Sequence, residues 1–205
     1  MINLDIKIMA TPKRKEQAQN LCKKLNLSFE NIIYDDRPNG GMPRYTAEKA
    51  WLSPFEETTT HRMVIQDDVE ICDDFLSAVF NCLNFQPEQI WTFFSINTDK
   101  RKSYFRKIPY SKISGQCLVM PKCKVLECWN WINSQESLNQ LQDDDACIMQ
   151  WLYSYNYFAY TTIPNLCQNS KNSSIGNDFP PISPSFCKDA AVKKKWNDKN
   201  IYFLL

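Results

Sequence analysis

Asp67 and Asp68 are adjacent, and the run before them, Arg62-Met63-Val64-Ile65, is apolar enough to be a buried strand. A strand ending in two carboxylates presents hard oxygen ligands at one edge of a sheet. Magnesium and manganese take such ligands and keep phosphate and water in the rest of their shell. A cation of that kind can neutralise the charge that develops on a diphosphate leaving group. Side chains alternate along extended backbone, so the two carboxylates are expected to diverge, one toward a metal and the other toward a sugar or ribose. The plainer reading of Asp-Asp is a solvated loop after a strand; the apolar run in front of it and the other acidic strand ends balance that reading evenly.

A second acidic group, Asp143, Asp144 and Asp145, precedes a helical pattern carrying Ile148, Trp151 and Leu152. A carboxylate there can take a proton from a hydroxyl that attacks an electrophilic carbon. The same three residues can equally be N-caps and partners of the helix dipole, and a positive helix end weakens a carboxylate as a base. A third chemistry belongs to Asp99 through Lys107, which mixes the cations Lys100, Arg101, Lys102, Arg106 and Lys107 with Tyr104 and Phe105. Cations can meet phosphates and aromatics can stack on bases. On general grounds a solvated hairpin with snorkelling lysines is the commoner outcome.

The elements that must position these groups alternate. Leu4 to Ala10 reads as a strand, Thr11-Pro12 as an N-cap and first helical position, and residues 13 to 25 as an amphipathic helix. Phe29 to Tyr34 is a second strand ending in Asp35-Asp36, and Tyr45 to Leu52 a short helix. After the Asp67-Asp68 strand, Asp73-Asp74 caps a helix with Phe75, Val79 and Cys82. Ile90 to Ile96 and Gly115 to Met120 are strands, Pro121 opens a helix, and Tyr157 to Thr161 is a last strand. From about residue 164 the chain is Pro-, Asn- and Ser-rich. Alternation of this kind predicts one α/β domain over residues 1 to 205, Rossmann-like, with a mainly parallel sheet and flanking helices. Ligands of such sheets gather at the carboxyl ends of the strands, where Thr11, Asp35 and Asp68 fall.

Composition narrows the functional classes. Hydrophobic residues make up 43% of the 205, enough for a proper core, and a net charge of +1 does not announce a nucleic-acid binder. Four glycines disfavour a fold built on several glycine-rich phosphate loops, and with them a nucleotidyltransferase. The nine cysteines are odd in number and lack C-x-x-C spacing, so reduced, buried thiols are expected rather than zinc or disulfides. No apolar stretch approaches the ~20 residues that cross a bilayer, so no membrane partner is expected and the cytoplasm is the expected compartment. Met1 to Ala10 reads as a strand rather than a signal segment.

The segment Thr60 to Glu70, followed by Asp74-Phe75, resembles the metal-binding DXD region of GT-A-fold glycosyltransferases. Ile8-Met9-Ala10-Thr11-Pro12 resembles the first strand and turn beside the nucleotide in that family, and Ile33-Tyr34-Asp35-Asp36 the second strand. The resemblance runs over roughly residues 4 to 176 and rests on the order of short motifs; its nearest likeness is to small phage-type enzymes, including those proposed to decorate modified DNA bases. It implies a GT-A-like fold and a nucleotide-sugar donor, a UDP-sugar first among them, with Mn²⁺ or Mg²⁺ as cofactor. It also implies transfer to an acceptor hydroxyl, with inversion, and modified DNA as the leading acceptor. Donor contacts would come from Ala10, Thr11, Arg14, Asp35, Asp67, Ser173 and Ser174, and the base would be Asp144 or Asp145. Asp68 would hold the metal. The late loop that often supplies a metal-binding His has Asn169 at that place; the chain's single His, His61, reads as a strand-entry residue. Arg101, Tyr104 and Arg106 would face the acceptor. The competing class is a non-catalytic, phage-type nucleic-acid-binding protein built around the Lys100–Lys107 cluster, which leaves the acidic strand ends unexplained.

Overall fold

The computed structural model describes residues 1–37, 43–96, 104–108, 113–141, 143–170, 183–186 and 188. In chain order the elements are β1 (Leu4–Ala10), α1 (Lys15–Lys24), β2 (Ile32–Tyr34), α2 (Pro43–Leu52), β3 (His61–Gln66), β4 (Val69–Ile71), α3 (Phe75–Phe85) and β5 (Ile90–Thr92). They continue with β6 (Tyr104–Ile108), β7 (Cys117–Pro121), α4 (Lys122–Ser134), α5 (Asp144–Ser154), β8 (Ala159–Ile163) and β9 (Cys167–Asn169).

Among the described residues seven strands form one sheet in the order β2-β1-β3-β7-β5-β8-β6. β1 is parallel to β2 and β3, and β5 to β8; β7 runs against both its neighbours and β6 against β8. All strands of the sheet except β7 and β6 therefore point the same way, and the expected α/β, Rossmann-like, mainly parallel architecture is the one the chain adopts. β4 and β9 form a separate antiparallel ribbon.

Both faces of the sheet are covered, which explains why β3 is a continuous buried run rather than an alternating one. Within that run the pleat still sorts the side chains. Met63 and Ile65 pack with Ile6 and Ile8 against Ala18, Leu21 and Cys22 of α1 and Val79, Cys82 and Leu83 of α3. Val64 points the other way, with Leu118 and Met120, toward Trp51 of α2, Val125 and Trp129 of α4 and Ile148 and Trp151 of α5. The result is three layers, α1 and α3 on one face and α2, α4 and α5 on the other.

Several boundaries differ from the sequence reading. Phe29–Asn31 is a 3-10 turn rather than strand, because the Ser28 side chain accepts the Glu30 N–H and bends the chain before β2 begins. β5 stops at Thr92, well short of Ile96. Asp74 stands at the N-cap of α3 but in the left-handed region (φ 53°, ψ 24°), and its side chain makes no capping bond. Among the described residues the cysteines are free thiols, buried except for Cys123. Burial pushes Cys82, Cys128 and Cys167 well above the usual thiol range, so they behave as apolar core atoms. No helix among the described residues is long and apolar enough to cross a membrane.

The path of the chain sets one edge of the sheet apart. From β1 it passes through α1 to β2 on one side, then through α2 back across to β3 on the other side of β1. The strand order reverses there, so the carboxyl ends of β1 and β3 form a topological switch point, the place where ligands of such sheets gather.

Candidate functional site

Thr11, Arg14, Asp67 and Asp68 meet at that switch point. Asp67 and Asp68 form the two-residue turn between β3 and β4. The Asp67 N–H donates to the Met9 carbonyl at 3.0 Å, and one carboxylate oxygen, Oδ2, accepts the Thr11 N–H at 3.0 Å. Arg14 sits in the tight turn after β1 that Pro12 starts. Its guanidinium forks: Nη2 lies 2.8 Å from Asp67 Oδ1, and Nη1 donates to Asp68 Oδ2 at 2.8 Å. The two carboxylates therefore do not diverge as strand alternation predicts. They lie in a turn, where the period of two has already ended, and one cation holds both. Asp67 is only 2% exposed, and burial pushes its carboxyl up to about 6 against the pull of Arg14 and the Thr11 N–H.

Asn169 is brought to the same place by the β4–β9 ribbon. It is registered with Val69, and the next residue, Ser170, donates its N–H to the Asp68 carbonyl at 2.8 Å. Asn169 is 5% exposed, and its side-chain oxygen has no hydrogen-bond partner. The same is true of Thr11 Oγ1 and Gln116 Oε1, both on residues of this edge. Buried polar atoms are ordinarily paired, so acceptors left over on one strand edge fit a hard, oxygen-seeking group. An Asp68 carboxylate with an amide oxygen from Asn169 suits Mg²⁺ or Mn²⁺, which leave the rest of their shell to phosphate and water. Among the described residues no group of three or more His, Cys, Asp or Glu side chains forms a complete metal cage. His61 is not a ligand: it is buried at the entry to β3, its ring bonded to Thr60 Oγ1 at 2.9 Å and to the Pro87 carbonyl at 2.7 Å.

The second acidic group joins the first through Gly115 and Gln116. The Gln116 carbonyl accepts the Gln66 N–H at 2.9 Å, one residue before Asp67. The Gly115 backbone lies against the Asp145 carboxylate and favours its charged form, and a methyl group on Gly115 would lie 3.4 Å from Asp144 Oδ2. Asp143 is the N-cap residue of α5 but makes no side-chain capping bond; Asp144 and Asp145 are in its first turn. Asp144 is 4% exposed, and burial, helped by the charge of Asp145, pushes its carboxyl up to about 7. Asp145 is shifted upward as well, again chiefly by burial. The helix end does not win here: desolvation outweighs the dipole, which leaves a carboxyl poised near neutrality. Sequence reasoning passes over Gly115 and Gln116. Their only local signal is a glycine immediately before an apolar strand.

Asp35 ends β2 beside β1, its N–H donating to the Ala10 carbonyl at 2.9 Å. Ala10 thus lies between the Asp35 and Asp67 positions. The Asp35 carboxylate is gripped by Arg37 through Nε at 2.9 Å and Nη2 at 2.8 Å, and these bonds hold it below the usual carboxylate range. Arg37 in turn covers the Tyr45 ring, 4.7 Å from its centre. In the sequence alone Arg37 opens a glycine-rich loop and shows no role. Arg101, Ser173 and Ser174 lie outside the described residues, and of Tyr104 and Arg106 only the backbone, in β6, is described. A surface hollow of about 490 Å³, lined by Tyr45, Glu48, Lys49, Leu52, Ser53 and Pro54, contains none of these acids. The clustered acids lie at the carboxyl ends of the strands instead.

No family model matches this chain, and no curated protein matches it. Among solved structures, one that resembles it is the crystal structure of a glycosyltransferase involved in the glycosylation of the major capsid of PBCV-1. That likeness has a TM-score of 0.42 at 13% identity, over 74% of this chain and 76% of that one. A likeness this distant carries no argument about chemistry, which rests on the site geometry alone.

Proposed function

We propose that the chain is a metal-dependent glycosyltransferase that moves a sugar from a nucleotide-sugar, a UDP-sugar first among candidates, to an acceptor hydroxyl. The observation that carries this reading is the placement of two acid pairs on either side of one dipeptide at the switch point. Asp67 and Asp68 lie beyond Gln116, and Asp144 and Asp145 pack on Gly115. A metal-phosphate subsite and a proton acceptor are the two parts such a transfer needs.

In this account Asp68 and Asn169 hold Mn²⁺ or Mg²⁺, which supplies charge neutralisation for the departing diphosphate. Thr11 fixes Asp67 through its N–H, and Asp35 and Ala10 line the nucleotide side. Asp144 takes the proton of the acceptor hydroxyl as its oxygen attacks the anomeric carbon. The bond from that carbon to the donor phosphate breaks, and the nucleoside diphosphate leaves with the electron pair. A carboxyl near 7 is matched to that task at neutral pH. Attack from the face opposite the leaving group inverts the anomeric centre.

The test is a thermal-shift panel of nucleotide-sugars with and without Mn²⁺, on the wild type and on Asp68→Ala. Stabilisation that needs both nucleotide and metal, and is lost in the variant, supports the proposal. Stabilisation by DNA without metal, and by no nucleotide, favours the nucleic-acid-binding alternative.

For the acceptor we propose an anionic polymer, with a hydroxymethylated base in DNA as the leading case. Its support is the five cations between Lys100 and Lys107 in a chain of net charge +1. Replacing Arg101 and Arg106 together by Ala should weaken DNA binding and flatten its dependence on salt by up to about two phosphate contacts. An unchanged affinity and slope would point to a glycan or small-molecule acceptor.

A further inference from the structure

We infer that Arg14 is an internal counter-cation that makes metal binding conditional on the diphosphate. The inference rests on the metal-dependent reading above and deepens it. One guanidinium pairs with two carboxylates at once: Nη1 donates to Asp68 Oδ2, and Nη2 forms an ion pair with Asp67 Oδ1, each at 2.8 Å. The Arg14 side chain is 17% exposed, Asp68 12% and Asp67 fully buried, so these charges face each other with little water between them.

A divalent cation meets two obstacles here. It must bind a carboxylate whose Oδ2 already pairs with Arg14, and it must sit beside a fixed positive charge in a poorly screened place. The two carboxylates and the guanidinium sum to one negative charge, a weak attraction for a dication. A diphosphate changes the balance. Its oxygens accept the same forked N–H geometry that carboxylates do, so Arg14 can turn from the acids onto the phosphates. The turn after β1 places it beside Thr11, at the switch point. The acids are then released to the cation and Arg14 covers the leaving group. Arg14 is therefore a positioning residue: it delays the metal until the donor arrives and prevents the open site from being filled by stray cations.

The experiment measures Mn²⁺ affinity from the electron paramagnetic resonance signal of free Mn²⁺, with and without UDP, for wild type, Arg14→Met, Arg14→Lys and Asp68→Ala. Wild type should bind Mn²⁺ at least about tenfold more tightly with UDP than alone. Arg14→Met, which keeps the stem and removes the charge, should bind Mn²⁺ alone at least about tenfold more tightly than wild type and show little further gain from UDP. Arg14→Lys should fall between, because one ammonium cannot fork across both acids. Equal affinity in wild type with and without UDP overturns the inference by itself, whether or not the variants fold. So does an Arg14→Met protein that binds Mn²⁺ no better than wild type while Asp68→Ala abolishes UDP-dependent binding; in that case the metal site stands and only the role of Arg14 fails. If no protein binds Mn²⁺ under any condition, the metal-dependent reading falls and this inference with it.

Discussion

The β1–β3 strand pair carries an arginine–carboxylate centre at each end, and the two differ in how completely they are satisfied. At the amino end Arg62 is fully buried. It donates to the Asp5 carboxylate through Nε at 3.0 Å and through Nη2. It also donates to the carbonyls of Trp51 at 2.7 Å, Ser53 at 2.6 Å and Pro54 at 3.1 Å, and it covers the Phe55 ring at 3.7 Å. Those carbonyls belong to the last turn of α2 and the residues just after it, so Arg62 caps that helix from inside the protein. At the carboxyl end Arg14 holds two acids at once, and buried acceptors on Thr11, Gln116 and Asn169 are left over. The amino end is closed by its own hydrogen bonds, the mark of a structural centre. The carboxyl end has acceptors to spare, at the place where the strand order reverses.

That contrast can be broken most forcefully at Asp68. Asp68→Ala should lower turnover by about a thousandfold or more, the loss of several kcal/mol of charge stabilisation, while the thermal midpoint stays close to wild type. Near-native activity in steady-state assays would remove the site.

Arg62→Ala should do the reverse. Removing Arg62 leaves Asp5 with Lys7 alone and the α2 carbonyls unsatisfied, at a cost of about 3–5 kcal/mol in urea unfolding, with turnover per folded molecule unchanged. A loss below about 1 kcal/mol would show that this end is not the structural one.

Both arginines also mark what the sequence can and cannot disclose. β3 is legible because Met63, Val64 and Ile65 are apolar and uninterrupted, and the acids after it stand out for that reason. Arg62 reads only as the edge of the same run. Its burial is decided by the end of α2, whose carbonyls come from residues 8 to 12 positions earlier in the chain and need a cation. Arg14 and Asp68 are 54 positions apart, and no local pattern records that they fork together. Asp144 is visible as an acid at a helix start. Its poise near neutrality is not, because that depends on how deeply α5 packs onto Gly115. β9 escapes detection because three residues in a Pro- and Asn-rich stretch are too few to show a period; the ribbon with β4 defines the strand.

A third prediction sharpens the carboxyl end. The Asp144 carboxyl moves from an ordinary 3.8 to about 7 on folding. Between those values the native state keeps a proton that the unfolded state releases, so stability falls as pH rises across that window. Asp67, raised to about 6, adds a loss of the same sign over its lower part. Asp144→Asn should therefore be more stable than wild type at pH 8 and about as stable at pH 4. Its turnover should fall about a hundredfold, and the rising limb near pH 7 in kcat/KM should disappear. A limb that persists unchanged would move the base to Asp145.

The smallest effect is expected at Gly115. A methyl group there would touch Asp144 Oδ2 and Asp145 Cβ, each at 3.4 Å, which the site can accept with little movement. Gly115→Ala should change stability by less than about 1 kcal/mol and move the pH limb upward, because the methyl further desolvates Asp144. A downward shift would mean that solvent exposure of Asp144 is set elsewhere.

The most direct measurement is anomalous diffraction from crystals soaked in UDP and Mn²⁺. Manganese should give one strong peak bonded to the Asp68 carboxylate, with diphosphate oxygens in its shell and Arg14 turned from the acids toward them. A manganese ion bound away from Asp68, or UDP seated away from the carboxyl ends of β1 and β3, would contradict it.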